Sequence, residues 1–268
     1  MPLEKKIIGR GRTADIIDLG ENRVLKLFHA GLAGKSAQHE YQIGKLIQET
    51  DLPVFKMYEI LEVDGSPGIV AEKITGPTLL SAMMKNPFIL LRASGVLAAL
   101  HLRIHNVQLT GLPNQKEYLS RQIERATGLS SQQKQVISVY LERLPSENAL
   151  CHGDFHPDNI ILSSRGPIII DWPNAASGNP AADVARSCLM LQSGALPPDM
   201  AVYKQYIIRS VRKWFQRNYL RSYLRRGTLT AGQVEAWLLP VAAARLAEGI
   251  PEESEFLMRT VEQQLRRI

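Results

Sequence analysis

The sequence predicts an α+β fold in two parts: a small β-rich lobe over residues 1–75, then a larger, mainly α-helical lobe over residues 76–268. Three observations carry this reading. Short β-type runs separated by turn residues crowd into the first quarter of the chain. Beyond Thr78, apolar residues recur at helical spacing over long stretches. A chain of 268 residues is also long enough for about two units of roughly 150 residues.

Residues 6–9 and 14–19 read as strands, Gly20-Glu21-Asn22 as a turn, and residues 23–28 as an apolar strand interrupted by Lys26. A Gly/Ala segment at 30–34 leads into a helix over 35–49, with Tyr41, Leu46 and Ile47 toward the core. Asp51-Leu52-Pro53 stops it. Strands at 56–63 and 68–73 are joined by Asp64-Gly65-Ser66-Pro67, which suits a hairpin. Ile74-Thr75-Gly76-Pro77 breaks the pattern and marks the lobe boundary. Helices follow at 88–105, 115–127 and 131–144, then a β-like island at 149–152, 160–162 and 167–171. Helices resume at 181–192, 201–224, 231–247 and 252–267. Trp214 and Trp237 read as core, and Trp172 as a residue lining a cleft.

Hydrophobic residues make up 45% and charged residues 22%, an ordinary globular balance in a chain that needs no disulfide staples. Cys151 and Cys188 match no disulfide framework and read as reduced thiols, and no Cys/His group has zinc spacing. Uninterrupted apolar runs fall short of the ~18 residues of a membrane helix, and no secretory signal pattern opens the chain. The expectation is a cytoplasmic protein without membrane insertion. Lys and Arg outnumber Asp and Glu by 32 to 26, a net charge of +6 that suggests an anionic partner. No repeat or low-complexity tract points to a solenoid or a disordered chain.

Chemistry concentrates in Cys151-His152-Gly153-Asp154-Phe155-His156-Pro157-Asp158-Asn159-Ile160, a loop framed by apolar runs. Ile168-Ile169-Ile170-Asp171-Trp172 then sets a carboxylate at the end of a buried strand. Asp154, Asn159 and Asp171 form the set that phosphoryl transfer needs. One carboxylate orients or deprotonates an acceptor hydroxyl. An amide oxygen and a second carboxylate hold magnesium, which prefers hard oxygen ligands, against nucleotide phosphates.

The string His-x-Asp-x-x-x-x-Asn followed by Ile-Asp-Trp resembles the signature of the aminoglycoside phosphotransferase and choline kinase-like family, which has the bilobal protein-kinase-like fold. The resemblance extends over nearly the whole chain. It implies Asp154 as the catalytic base, Asn159 and Asp171 as magnesium ligands, and His152 as a brace for the loop. His156 falls where protein kinases carry a lysine near the transferred phosphate, and charge stabilisation and a structural role stay equally open. Asp183, in Asn179-Pro180-Ala181-Ala182-Asp183, resembles the family's helix-borne aspartate that braces the catalytic loop; it equally suits the first turn of a helix. His101 and His105 stand four apart, a zinc-compatible spacing, but no Glu follows His101 and no third ligand is evident, so structural or capping roles fit better.

Lys26 alone reads equally as an edge charge or a buried phosphate ligand. Beside the resemblance it becomes the lysine that contacts the nucleotide's α- and β-phosphates, with Glu40 as its ion-pair partner and Glu49 as the weaker alternative. Gly9-Arg10-Gly11-Arg12-Thr13-Ala14 resembles the glycine-rich loop, with Gly9 and Gly11 permitting close approach to phosphates and Ala14 in place of a third glycine. Arg10 and Arg12 read as solvated charges or added phosphate contacts. Glu72-Lys73-Ile74 matches the hinge, where backbone groups at Glu72 and Ile74 would meet the adenine edge.

Asp183 follows Asp171 by only twelve positions, and Trp-Pro stands where protein kinases have Phe-Gly. That spacing leaves no peptide platform. It points to a small-molecule hydroxyl acceptor over a peptide; the resemblance implies one of the aminoglycoside, amino alcohol or sugar type, with ATP or GTP as co-substrate and Mg2+ as cofactor. Glu248, Glu252, Glu253 and Glu255 offer an acidic counter-surface for a polycation. The basic run over 204–226 reads first as a solvated face, and otherwise as a contact for an anionic acceptor, nucleic acid or a membrane surface. No nucleic-acid-binding motif is present, and nucleic acid is not an expected partner. The competing reading is a nucleotide-binding pseudokinase or regulatory module without turnover, against which Asp154, Asn159, Asp171 and Lys26 all stand intact.

Overall fold

The computed structural model describes residues 6–11, 13–29, 33–194 and 200–268. Arg12 and part of the expected Gly/Ala segment lie outside these. In chain order the strands and helices are β1 (Lys6–Arg10), β2 (Ala14–Gly20), β3 (Arg23–Phe28), α1 (Ala33–Ile47), β4 (Met57–Val63), β5 (Ser66–Glu72), α2 (Leu79–Lys85), α3 (Pro87–His105), α4 (Gln115–Arg125) and α5 (Ser131–Arg143). They continue with β6 (Ala149–Cys151), β7 (Ile160–Ser163), β8 (Gly166–Ile169), β9 (Ala176–Gly178), α6 (Pro180–Gln192), α7 (Val202–Arg226), α8 (Ala231–Arg245) and α9 (Pro251–Leu265).

The chain forms two compact units. The first runs to Lys85 and takes back Pro157–Asn174; the second holds Asn86–His156 and Ala175–Ile268. The break at 75/76 marks a single boundary in the sequence, because the return of a distant segment leaves no local pattern.

In the first unit, five antiparallel strands form a sheet in the order β1-β2-β3-β5-β4. Ala14, Phe28, Ala37, Met57 and Ile69 form one buried cluster, and Ile17, Leu25 and Val70 another. Alternation along β3 sends Lys26 to the same side as Phe28, and Ala37 of α1 belongs to that cluster. A buried α1 stripe of Ala37, Glu40, Ile43 and Ile47 recurs at helical spacing; Leu46 is exposed instead.

The segment that returns is sewn into this unit by several bonds. The Leu162 N–H donates to the Pro77 carbonyl at 2.9 Å, and the Ile169 N–H to that of Pro53 at 2.8 Å. The Thr78 hydroxyl donates to Asp158 at 2.8 Å. Gly76 has φ +148°, and a Cβ there would lie 2.1 Å from the Leu162 carbonyl oxygen, so only glycine fits this crossing.

The second unit is helical. Helix α6 packs against α7 and α8, α3 against α7, and α8 against α4 and α9. Strand β9 pairs with β6, Ala149 opposite Gly178. Its Ala-Ser-Gly sequence carries no β pattern; pairing alone makes it a strand. Helix α3 is long and apolar enough, by length and composition, to cross a bilayer, although Arg92, His101 and Arg103 break its apolar runs. Its Leu97, Ala98, Leu100 and Ile104 are buried. Trp237 is core as expected, whereas Trp214 is 39% exposed. Trp172, in the first unit, is buried, with its indole N–H toward the Ile169 carbonyl at 3.4 Å.

Candidate active site

The first unit gathers Lys26, Glu40 and Asp171. Lys26 Nζ donates to Glu40 Oε1 at 2.7 Å and Oε2 at 2.9 Å, and to Asp171 Oδ1 at 3.3 Å. Glu40 is buried, and Glu49 lies past the end of α1. Burial pulls the Lys26 ammonium toward neutrality, but the Glu40 and Asp171 charges outweigh it and hold the lysine protonated. Asp171 follows β8 with φ +66°, a left-handed conformation uncommon for a residue with a side chain. The Ile170 N–H donates to the Asn159 carbonyl at 3.0 Å, so one backbone bond ties the residue beside Asp171 to Asn159. An amide oxygen and a carboxylate are a donor pair that suits a hard cation such as Mg2+. His39 of α1 meets the Pro173 carbonyl at 3.1 Å, fastening the chain just past Asp171.

Gly9 lies in β1, and the Gly11 N–H closes a turn onto the Ala14 carbonyl at 2.8 Å. At the other end of the sheet, the Glu72 carboxylate pairs with Arg165 at 2.7 Å. The N–H groups of Glu72 and Lys73 are taken by the Lys56 and Asn22 carbonyls, both at 2.8 Å. Ile74 follows directly.

The second unit holds Asp154. Helix α6 grips its loop at three points spaced i, i+3 and i+4 along one face. Asp183 accepts the His152 N–H at 2.7 Å and the Gly153 N–H at 3.0 Å. Arg186 Nη2 stands 3.7 Å from Asp154 Oδ1. The Ser187 hydroxyl donates to the Phe155 carbonyl at 2.8 Å. Gly153 has φ +75°, which a residue with a Cβ rarely adopts. His156 Nε2 lies 3.5 Å from Asp154 Oδ2. Burial would raise the Asp154 carboxyl, but the His156 hydrogen bond and the Arg186 charge outweigh it and hold the group well below the usual carboxylate range.

Behind the loop, Asp183 Oδ2 also receives His101 Nε2 at 3.0 Å and His105 Nε2 at 3.3 Å. The third partner of these two histidines, absent from any local spacing, is therefore Asp183. An ionised carboxylate only accepts, so both rings carry their proton on Nε2. Both Nδ1 atoms then accept hydroxyls, from Tyr219 at 2.6 Å and Tyr223 at 2.7 Å. Although the three groups cluster closely enough to hold a metal, hydrogen bonds complete the set without one. Burial, then the neighbouring His105, push the His101 pKa down to about 3.

Arg186 continues outward. Its Nη1 meets Glu248 Oε1 at 2.6 Å, and Arg245 pairs with Glu248 at 3.1 Å and with Glu253 at 2.7 Å. Two members of the acidic segment are thus neutralised by arginines, which weakens its reading as an open counter-surface for a polycation. Arg186 escaped the sequence reading. Its signal was the position three residues after Asp183, one turn along the same helix face.

A model of the phosphotransferase enzyme family (APH) matches residues 6–223. The chain belongs to the phosphotransferase enzyme family. A search of curated proteins finds no match to this phosphotransferase. Among solved structures it is similar to a thermostable mutant of aminoglycoside phosphotransferase APH(4)-Ia in ternary complex with AMP-PNP and hygromycin B. The TM-score is 0.69 at 14% identity, covering 98% of this chain and 94% of that one. Amicoumacin kinase hAmiN, in complex with AMP-PNP, Ca2+ and Ami, gives 0.64 at 14% identity over 98% and 88% of the chains. An aminoglycoside-3'-phosphotransferase of type VIII gives 0.61 at 17% identity over 91% and 92%. These likenesses establish the α+β kinase-like fold of the phosphotransferase.

Proposed function

We propose that this phosphotransferase moves the γ-phosphoryl group of ATP, with Mg2+, to a hydroxyl of a small molecule of the aminoglycoside, amino alcohol or sugar type, in the cytoplasm. The observation that carries the reading is Lys26 Nζ held between Glu40 and Asp171. A lysine kept charged and fixed by two carboxylates is a phosphate ligand in waiting, because phosphates are the anions that a fixed ammonium binds as a point charge.

In this reading Lys26 binds the donor phosphates, and backbone at Gly9 and Gly11 approaches them. With the N–H groups of Glu72 and Lys73 already bonded to Lys56 and Asn22, the backbone donor to the adenine edge falls to Ile74, while Glu72 would offer its carbonyl. Asn159 and Asp171 would hold Mg2+, which neutralises charge on the phosphates when bound. Asp154 accepts the proton of the acceptor hydroxyl as its oxygen bonds to phosphorus and the bond to the leaving diphosphate breaks. Its depressed pKa makes it an orienting group more than a strong base, so catalysis is mostly positioning and electrostatics. The twelve-residue interval from Asp171 to Asp183 supports a small acceptor over a peptide.

The test is ATP consumption over aminoglycosides, sugars, amino alcohols and nucleosides, with Asp154→Asn as control. Turnover with one acceptor class, absent from the control, is expected. Nucleotide binding with no turnover on any acceptor would favour the pseudokinase alternative.

A further inference from the structure

Helix α7 is the strongest feature that phosphoryl transfer does not use. Its 25 residues carry eight cations, Lys204, Arg209, Arg212, Lys213, Arg217, Arg221, Arg225 and Arg226, and no carboxylate. One side is explained: Phe215, Gln216, Tyr219 and Tyr223 are buried, and the two tyrosines bond His101 and His105. The opposite side is not. There Tyr203, Tyr206, Ile207, Val211 and Trp214 recur at spacings of three and four, and all are exposed, Tyr206 by 75% and Ile207 by 58%. The same stripe runs on into Arg217, Arg221 and Arg225, each one turn further and each exposed. Exposed apolar side chains gathered into a stripe mark an interaction surface.

We propose that this outward face of α7 docks the protein on an anionic lipid surface, with the aromatic and aliphatic stripe at the headgroup level and the arginines on acidic headgroups. Tyrosine and tryptophan favour that level because each joins an apolar body to a polar tip. Lys204, Arg209 and Lys213 flank the stripe, and long cationic side chains lay their stems along apolar surface while their heads reach headgroups. Ile207 and Val211 offer nothing that a phosphodiester or a base edge can bond, which disfavours nucleic acid. A second copy would set cations against cations with no carboxylate on either helix to offset them. The proposal is independent of the acceptor.

The test uses the full chain with vesicles of phosphatidylcholine alone or mixed with phosphatidylserine, read by co-sedimentation and tryptophan fluorescence. Trp172 and Trp237 are buried, so a blue shift on vesicle addition reports Trp214. Binding to the serine-containing vesicles only, with that blue shift, is expected. A triple Arg217→Gln, Arg221→Gln, Arg225→Gln variant should bind roughly a hundredfold more weakly. Tyr206→Ser with Ile207→Ser should lose the blue shift, and both variants should melt as the parent does, since the residues are exposed. No affinity for anionic vesicles overturns the proposal. So does tighter binding to RNA or DNA than to vesicles, or a light-scattering dimer that these variants dissolve.

Discussion

The Arg186 guanidinium stands 3.7 Å from the Asp154 carboxylate and 2.6 Å from that of Glu248. One cation therefore orients the candidate base and is itself held in place from behind. Arg186→Met should lower kcat by roughly 10²-fold through misplacement of Asp154, leaving the KM for nucleotide unchanged. Arg186→Lys should recover part of the loss, because it restores the charge without the two-armed fork. Steady-state kinetics of the two variants reads both outcomes, and equal losses in both would count against a charge effect.

Asp154→Asn should cost about 10²–10⁴-fold in turnover. Nucleotide affinity, measured by calorimetry, should stay within error, since Lys26, Asn159 and Asp171 belong to the other compact unit. Undiminished turnover would remove Asp154 from the mechanism.

Lys26→Met strands the buried Glu40 carboxylate without its cation. Breaking such a pair on one side should cost about 3 kcal/mol, seen as a lower Tm. Adding Glu40→Gln removes the stranded charge, so the double variant should regain much of the Tm. It should not regain nucleotide binding. A double variant that melts no higher than Lys26→Met would show that the stranded Glu40 charge is not the source of the loss.

The His101 pKa, ordinarily 6.5, falls to about 3 in the fold. Between those values the unfolded chain binds a proton that the folded chain does not. Stability from this group is therefore full above pH 6.5 and is lost as pH falls toward 3, by up to about 1.4 kcal/mol per pH unit. His101→Gln removes the titration. Its Tm should sit below that of the parent at neutral pH, and the gap should close on acidification. A gap that stays constant from pH 7 to about 4 would contradict the linkage.

The candidate residues for phosphotransfer were readable in the sequence because they are local. Asp154 and Asn159 lie within one loop, and Asp171 ends the next hairpin. Lys26 was readable as one charge in an apolar strand. The Arg186–Glu248–Arg245–Glu253 chain was not, since each member looks like an ordinary surface residue until burial shows otherwise. Likewise the His101–His105 pair suggested a missing ligand, and Asp183, 82 residues from His101, supplies the partner.

By itself the sequence determined the α+β class, the order of the strands and helices other than α2 and β9, and the residue types for phosphoryl transfer. Periodicity and turn chemistry are written within a few residues, so one dimension is enough to read them. Tertiary structure alone decided that residues 157–174 return to the sheet-bearing unit, that one face of α6 grips the Asp154 loop, and that α7 leaves an apolar and arginine stripe uncovered. Those outcomes depend on which distant surfaces close on each other and which stay in water, and that is set by burial across the whole chain.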